Sequence, residues 1–186
     1  MTIKSTCKML LALGPDSRSV YEGYFEKPFL DESAEFFKLK SEILLAESSA
    51  SVFLQKVETT MREEAERARH LLDPSTEEDI VKIVVEELLY KHMKTVIEME
   101  NSGVNHMLKH NKIEDLLRLF RLFKRVQGKN NDVLIDWLKM VHDCMRRYLP
   151  DEVMEMEHCE DPTTYFEEYE QVLNLIAENK GKYSID

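Results

Sequence analysis

The sequence predicts an all-α protein, and two observations lead to this prediction. Apolar residues recur at spacings of three and four along almost the whole chain, which is the period of amphipathic helices. Glycine and proline are scarce, with five of each among 186 residues, too few for the many tight turns of an antiparallel sheet. A chain of this length can bury one good hydrophobic core. We therefore expect helices throughout, with no strand needed anywhere.

The N-terminal part predicts two helices separated by a proline turn. The first carries an apolar stripe and is closed by Gly14-Pro15, a pair that stops helices; the stripe consists of Ile3, Cys7, Leu10 and Leu11. Ser17 or Ser19 is expected to cap the second helix. Pro28 falls inside that helix, so the helix is expected to kink there or to begin near it.

Capping signals divide the central part of the chain. The serine-rich cluster 48–51 predicts a break with a capping serine, followed by a helix over Val52–Leu72. Charges four apart, such as Glu63 with Arg67, support that helix. Ser75 and Glu78 have the spacing of a capping box for the next helix. Between residues 80 and 97 adjacent apolar pairs recur four apart, which predicts a helix packed on two sides.

The remaining elements follow from turn residues and apolar spacing. Asn101-Ser102-Gly103 predicts a helix terminator or kink, followed by a short helix to Leu108 and another over Ile113–Val126. A turn at 127–131 and a helix over 132–149 come next. Residues 150–162 read as an acidic loop, and Thr163 is expected to cap a last helix.

The charge distribution argues against nucleic acid as a partner. The net charge is −11, and the segment from Pro150 onward contributes −9 of it, with eleven acidic residues against two lysines. Such a chain repels phosphate backbones. No apolar run is long enough to span a membrane, and no signal-peptide pattern is present. Three widely separated cysteines, expected to be free thiols, favour a reducing compartment, so we expect the cytoplasm or the nucleus.

Three small constellations could carry chemistry, and each has a simpler explanation. His106 and His110 have metal-ligand spacing, but Met107 stands where a zinc protease needs glutamate, so ordinary helix-end histidines are favoured. Glu155 with His158 resembles half of a di-iron site, near Glu152, Glu157 and Cys159, yet the second half is missing. Cys144 lies two residues after His142 and fits a small core residue better than a nucleophile.

No catalytic, cofactor-binding or metal-binding residue is therefore predicted, and the chain is expected not to be an enzyme. The sequence contains no G-x-G-x-x-G, no phosphate loop and no G-x-S-x-G. The aromatic pairs Phe36-Phe37 and Tyr165-Phe166 are interpreted as core or interface anchors.

Several stretches between Cys7 and Val126 resemble the cullins. The stretches are Ser17-Arg-Ser-Val-Tyr-Glu22, Phe25-Glu-Lys-Pro-Phe-Leu30, Ser33-Ala-Glu-Phe-Phe37, Leu45-Ala-Glu-Ser-Ser-Ala-Ser-Val52, Glu63-Glu64 to Glu78, Lys91-His-Met-Lys-Thr95, Glu98-Met-Glu-Asn-Ser-Gly103, His106-Met-Leu-Lys109 and Glu114-Asp-Leu116. The resemblance is distributed over many helices rather than resting on one motif. Past Gln127 only the helix pattern is similar, and the acidic segment departs from the family.

The resemblance implies an elongated stack of helical cullin repeats, with the second repeat running into the third over residues 1–126 and a divergent remainder of the third over 127–186. It implies a non-catalytic scaffold segment of a ubiquitin ligase, whose partners are other proteins of a cullin-RING ligase. The adaptor and RING contacts are expected outside this chain, before Met1 and after Asp186. An alternative is a stand-alone helical binding module. No small-molecule substrate is expected. The first helix should leave apolar surface open, since helices that cover it in the family would precede Met1.

Overall fold

A computed structural model describes residues 2–14, 17–126, 131–147, 167 and 169–172. Every regular element in these ranges is a helix, which confirms the all-α class. The α-helices are α1 (Ile3–Leu13), α2 (Ser19–Tyr21), α3 (Lys27–Glu47), α4 (Ala50–Leu71), α5 (Pro74–Val84), α6 (Met93–Glu98), α7 (Val104–Lys109), α8 (Ile113–Lys124) and α9 (Asn131–Arg146). Two π-helical segments, Glu22–Glu26 and Val85–Leu89, and a 3₁₀ turn, Tyr90–His92, connect some of them.

The chain divides into two compact units. Unit 1 consists of Met1–Ala46 and Lys56–Lys91, and unit 2 of Glu47–Gln55 and His92–Asp186. No helix in the described ranges is both long and apolar enough to cross a membrane. The largest fully buried side chains include Tyr21, Ile80, Leu88 and Leu89 in unit 1 and Phe53, Leu54, Met93, Met107, Leu108, Phe123 and Tyr169 in unit 2.

Helix α1 begins at a side-chain cap and leaves much of its apolar surface open. The Thr2 hydroxyl accepts a hydrogen bond from the Ser5 amide, which satisfies one free donor of the first turn. Of the predicted stripe only Cys7 is buried; Leu10 and Leu11 are half-buried, and Ile3 is exposed. The expected open apolar surface on this helix is therefore confirmed.

The helix that follows starts without the serine cap that the sequence predicted. Arg18 is the N-cap residue and makes no capping hydrogen bond, while the Ser17 and Ser19 hydroxyls bond to each other at 2.8 Å. The π-helical segment ends at Glu26, directly before α3, and Pro28 is the second residue of α3. A proline inside a continuous helix removes one backbone bond and crowds the preceding turn, and a π turn absorbs that distortion. Helix α3 thus begins at Lys27, next to Pro28, which is one of the two arrangements that the sequence predicts.

Of the two caps predicted for α4 and α5, the first is confirmed and the second is wrong. The Ser49 hydroxyl accepts a hydrogen bond from the Val52 amide, so the serine cluster does cap α4. At α5 the predicted Ser75 cap is wrong. Asp73 is the N-cap, its carboxylate accepts from the Ser75 amide, and Pro74 occupies the first helical position.

Unit 2 turns sharply between α6 and α7. Asn101 adopts a left-handed conformation with φ of 59°, which asparagine tolerates better than most residues, and Gly103 caps α7 with extended backbone. Helix α7 packs against α6, α8 and α9. The predicted turn at 127–131 falls largely on 127–130, and the acidic loop and the Thr163 cap fall on 148–166, all of which lie outside the described residues.

Candidate protein-interaction surface

A buried polar network connects three segments of unit 1. Thr76 Oγ1 donates to Glu26 Oε1 at 2.6 Å. Because a hydroxyl has a single proton, the Tyr21 hydroxyl must be the donor in its 2.9 Å bond to Thr76 Oγ1. The Asp73 amide donates to the Tyr21 oxygen at 3.4 Å. The network therefore fixes the start of α5 against the π-helical segment and α2.

Arg18 compensates the buried carboxylate in this network. Its guanidinium donates to Glu26 Oε1 at 2.9 Å and lies 3.4 Å from an Asp73 oxygen. It also lies over the Tyr21 ring, 5.5 Å from the centroid. A buried carboxylate is tolerated when charge-assisted hydrogen bonds replace its lost water. Arg18, Glu26 and Asp73 therefore form a compact electrostatic cluster, in which the buried Nε of Arg18 has no hydrogen-bond partner among the described residues.

An apolar groove opens on unit 1 beside this network. The Phe25 and Phe29 rings stack in it, with centroids 5.6 Å apart and planes 6° from parallel. The other apolar lining residues are Ile3, Ala68, Leu71, Leu72 and Ile80. The two charged lining residues, Glu64 and Arg67, pair with each other at 2.8 Å, where the sequence predicted Glu63 as the partner of Arg67. A groove of this composition can accept apolar side chains of another protein, but it presents no group suited to catalysis.

The candidate chemical residues of the sequence do not assemble into a site. Within the described ranges no group of three or more His, Cys, Asp or Glu side chains could hold a metal ion. Cys7 and Cys144 are free and buried, and burial raises the pKa of both thiols, so each stays protonated and unreactive. Cys144 is thus the small core residue that the sequence indicated. Glu152, Glu155, Glu157, His158 and Cys159 lie outside the described residues.

The histidine pair of α7 is stacked rather than arranged to chelate. The His106 and His110 rings lie 4.1 Å apart with planes 20° from parallel. His106 is half-buried and His110 is exposed. Burial, together with the positive charge of His110, Lys112 and Lys109, lowers the pKa of His106 below its ordinary value of 6.5. His106 belongs to α7, which contacts α6, α8 and α9, and His110 follows directly as the C-cap residue of that helix.

This lowered pKa predicts an acid-sensitive contribution to the stability of unit 2. A group whose pKa is lower in the folded state binds fewer protons there than in the unfolded chain, so its contribution is present above pH 6.5 and is lost as the pH falls through the folded pKa. We expect the free energy of unfolding to fall less between pH 7.5 and 5.5 in His106→Gln than in the wild type, by urea denaturation. An equal fall in both proteins would contradict this assignment, and Lys8→Gln on α1 is the control.

Comparison with known proteins identifies the family. The cullin family model, described as a cullin alpha solenoid domain, matches residues 1–181. The chain belongs to the cullin family. It is 40% identical over 148 residues to cullin-3 of Caenorhabditis elegans, 37% over 169 residues to cullin-3 of Dictyostelium discoideum and 34% over 188 residues to cullin-3A of Arabidopsis thaliana.

These alignments cover most of this chain and a small part of each relative. They span 79%, 89% and 95% of the chain, in the same order, and 19%, 21% and 24% of the relatives. The chain thus spans about a fifth of the length of the cullins it matches. The resemblance to the cullins that the sequence carries between Cys7 and Val126 is confirmed, the relatives named above are cullin-3 proteins, and the family match continues to residue 181.

Three of the cullin-like stretches contain the residues of the buried network. Arg18 and Tyr21 belong to the stretch 17–22, Glu26 to the stretch 25–30, and Asp73 and Thr76 to the segment ending at Glu78. These are the residues that bond to one another across 50 or more positions of sequence. The network could not be predicted from these stretches, because polar residues near helix ends give no signal of which distant residue they contact.

Proposed function

We propose that this chain is a non-catalytic scaffold segment of a cullin-type ubiquitin ligase, in support of ubiquitin-dependent protein degradation. The observation that carries the proposal is the match to the cullin alpha solenoid domain over residues 1–181. The buried polar network of unit 1 supports it, because a spacer must hold its helices in fixed positions. Its partners would be other proteins of a cullin-RING ligase, with the adaptor and RING contacts made by other parts of the assembly.

Within this proposal, residues 1–126 form the second cullin repeat and the start of the third, and 127–186 form the remainder of the third. The chain would act in the cytoplasm, the nucleus or both. A stand-alone helical binding module is the second candidate function. The apolar groove lined by Phe25, Phe29 and Leu71 favours it, since such a groove suits protein contact.

A segment exchange in a relative tests the scaffold role. The matching segment of Dictyostelium cullin-3 would be replaced by residues 1–181 of this chain, and ubiquitin transfer would be assayed in cells that lack their own cullin-3. We expect the chimera to bind its adaptor and RING protein and to retain ubiquitin transfer. A chimera with an unrelated helical segment of equal length is the control and should lose transfer.

The decisive result concerns a folded chimera. If it binds both partners but transfers no ubiquitin to substrate, the segment does not serve as a cullin spacer and the scaffold proposal fails. If the isolated chain instead binds a partner protein in the absence of all other ligase components, this result supports the binding-module candidate.

A further inference from the structure

The outer side of α3 presents an apolar stripe to solvent. Phe36, Leu39 and Ile43 are 57%, 59% and 57% exposed. Their spacings of three and four residues give the 3.5-residue period of a coiled-coil seam. The opposite side of the same helix carries the buried Phe37, Ser41 and Leu44, so the stripe is not part of the core face. An exposed row of three large apolar side chains on one helix is typical of a surface that binds another protein.

Carboxylates border this stripe. Glu35 and Glu42 directly precede Phe36 and Ile43, so they lie seven residues apart on the same flank, and Glu32 precedes Phe36 by one turn. All three glutamates are exposed. Glu35 pairs with Lys38 at 3.6 Å. Glu32 and Glu42 form no ion pair among the residues that the structure describes. This flank of the stripe therefore carries a net negative charge, because three glutamates outnumber Lys38.

The other flank of the stripe is closed by Lys40. Its ammonium group donates to Thr60 of α4 at 3.1 Å and lies 5.9 Å from the Phe36 ring centroid and 5.7 Å from that of Phe37. These contacts hold Lys40 against α4 and the aromatic rings, where it cannot neutralise the glutamates on the far flank. A molecule that covers the stripe therefore meets apolar side chains in the middle and, along one side, the Glu35–Lys38 pair and the carboxylate of Glu42, which has no ion pair among the described residues.

We propose that the α3 stripe, Phe36, Leu39 and Ile43, docks an amphipathic helix of a partner protein whose own apolar seam is flanked by lysine or arginine. Charge complementarity selects this occupant, because basic side chains on the partner would lie beside Glu35 and Glu42. The proposal goes beyond the scaffold role, which requires no partner at this face.

A second copy of the chain is a poorer occupant for two reasons. In an antiparallel pair of identical helices the same flanks meet, so Glu35 of one copy would lie opposite Glu42 of the other. Three half-exposed side chains also offer only a few hundred Å² of apolar surface, whereas a stable dimer buries roughly 800 Å² on each partner. A short helix packed into a shallow seam fits both the charge and the area.

Fluorescent peptides test this proposal on the full chain. Two peptides of about three heptads would have leucine at the seam positions, with lysine at the flanking positions in one and glutamate in the other. Like charges on each peptide keep it from pairing with itself. We expect the lysine peptide to bind, by fluorescence anisotropy, at least roughly fivefold more tightly than the glutamate peptide.

Variants of exposed residues separate docking from general stickiness. Phe36→Ala with Ile43→Ala should weaken the lysine peptide at least about tenfold, and Glu35→Lys with Glu42→Lys should reverse the preference between the two peptides. Leu13→Ala is the matched control, because Leu13 is 62% exposed on α1 and should leave binding unchanged. Circular dichroism would check that each variant is folded.

Three results would overturn the proposal: no binding of the lysine peptide, equal binding of both peptides, or equal loss in Leu13→Ala. Self-association of the chain in analytical ultracentrifugation that disappears in the Phe36/Ile43 variant would assign the stripe to a second copy instead. Because none of these measurements involves ubiquitin transfer, their failure leaves the scaffold proposal untouched.

Discussion

Replacing Tyr21 by alanine is expected to lower the free energy of unfolding of unit 1 by about 3–5 kcal/mol, the range for removing a large buried aromatic side chain. Tyr21 is 0% exposed and is among the largest fully buried side chains. Its ring is in tilted contact with Phe25, and its hydroxyl connects Thr76 with the Asp73 amide. The substitution therefore leaves a cavity and an unsatisfied buried amide at the same point.

A second variant of Tyr21 separates the contribution of packing from that of hydrogen bonding, and a variant of Tyr24 is the control. Tyr21→Phe keeps the ring and removes the hydroxyl, so we expect a loss of about 1–2 kcal/mol. Tyr24→Ala, at an exposed position three residues away, should stay within about 0.5 kcal/mol of the wild type. Urea denaturation followed by hydrogen exchange of residues 17–80 measures all three. A loss below about 1 kcal/mol in Tyr21→Ala would show that the network does not hold the α2 and α5 segments together.

The helices could be predicted from the sequence because each depends on its own apolar period. The helix predicted over Val52–Leu72 is α4, Ala50–Leu71, and the one predicted over Ile113–Val126 is α8, Ile113–Lys124. Differences of one or two residues at helix ends are ordinary fraying. Local periodicity is sufficient to predict such helices, because the three- and four-residue spacings of apolar side chains determine which face is buried.

The sequence could not decide between competing caps. Ser75 with Glu78 matches a capping box, but Asp73 followed by Pro74 matches an equally good start two residues earlier. The structure uses Asp73, whose carboxylate also lies near Arg18 and whose amide bonds to Tyr21. Those contacts reach across more than 50 residues, so no local pattern contains them.

The spacing of apolar residues in the sequence is consistent with the π-helical segment Val85–Leu89, although it predicts only a helix packed on two sides. The apolar pairs 80/81, 84/85 and 88/89 recur four apart, a longer period than the 3.6 residues of an α-helix. A π turn holds more residues than an α turn, so it shifts the average period toward four and keeps the apolar residues on one side. Val84, Val85, Leu88 and Leu89 are accordingly all buried.

The α3 stripe illustrates why surface function is harder to predict than a core. The sequence predicts core or interface anchors at Phe36-Phe37, and the structure separates the two: Phe37 is buried and Phe36 is exposed. Two adjacent aromatic residues on a helix are about 100° apart, so a helix that packs on one side can bury one of them and leave the other at the surface. Which one is buried depends on how the rest of unit 1 packs against α3, and the sequence of α3 alone does not contain that information.

Substituting alanine at two glycines is expected to have opposite effects. A Cβ at Gly103 would lie against the Ile97 carbonyl oxygen, 2.7 Å from Met99 O and 2.9 Å from Met99 N. All three are backbone atoms, which cannot move aside as a flexible side chain can. We therefore expect Gly103→Ala to destabilise unit 2 by about 2–3 kcal/mol, the upper part of the range for overpacking. The φ of −71° suits alanine, so the cost is steric rather than conformational.

Gly23→Ala is the matched control because a Cβ there meets nothing within 4 Å. Gly23 is exposed in the π-helical segment before α3, where alanine loses less backbone entropy on folding, and a gain of about 0.5–1 kcal/mol is expected. Urea denaturation measures the change in the free energy of unfolding for both variants. Hydrogen exchange in α6 and α7 shows where the Gly103→Ala substitution destabilises the protein. If Gly103→Ala were neutral, the α6–α7 turn would have to open, and the cullin-like stretch that ends at Gly103 would lose its steric explanation.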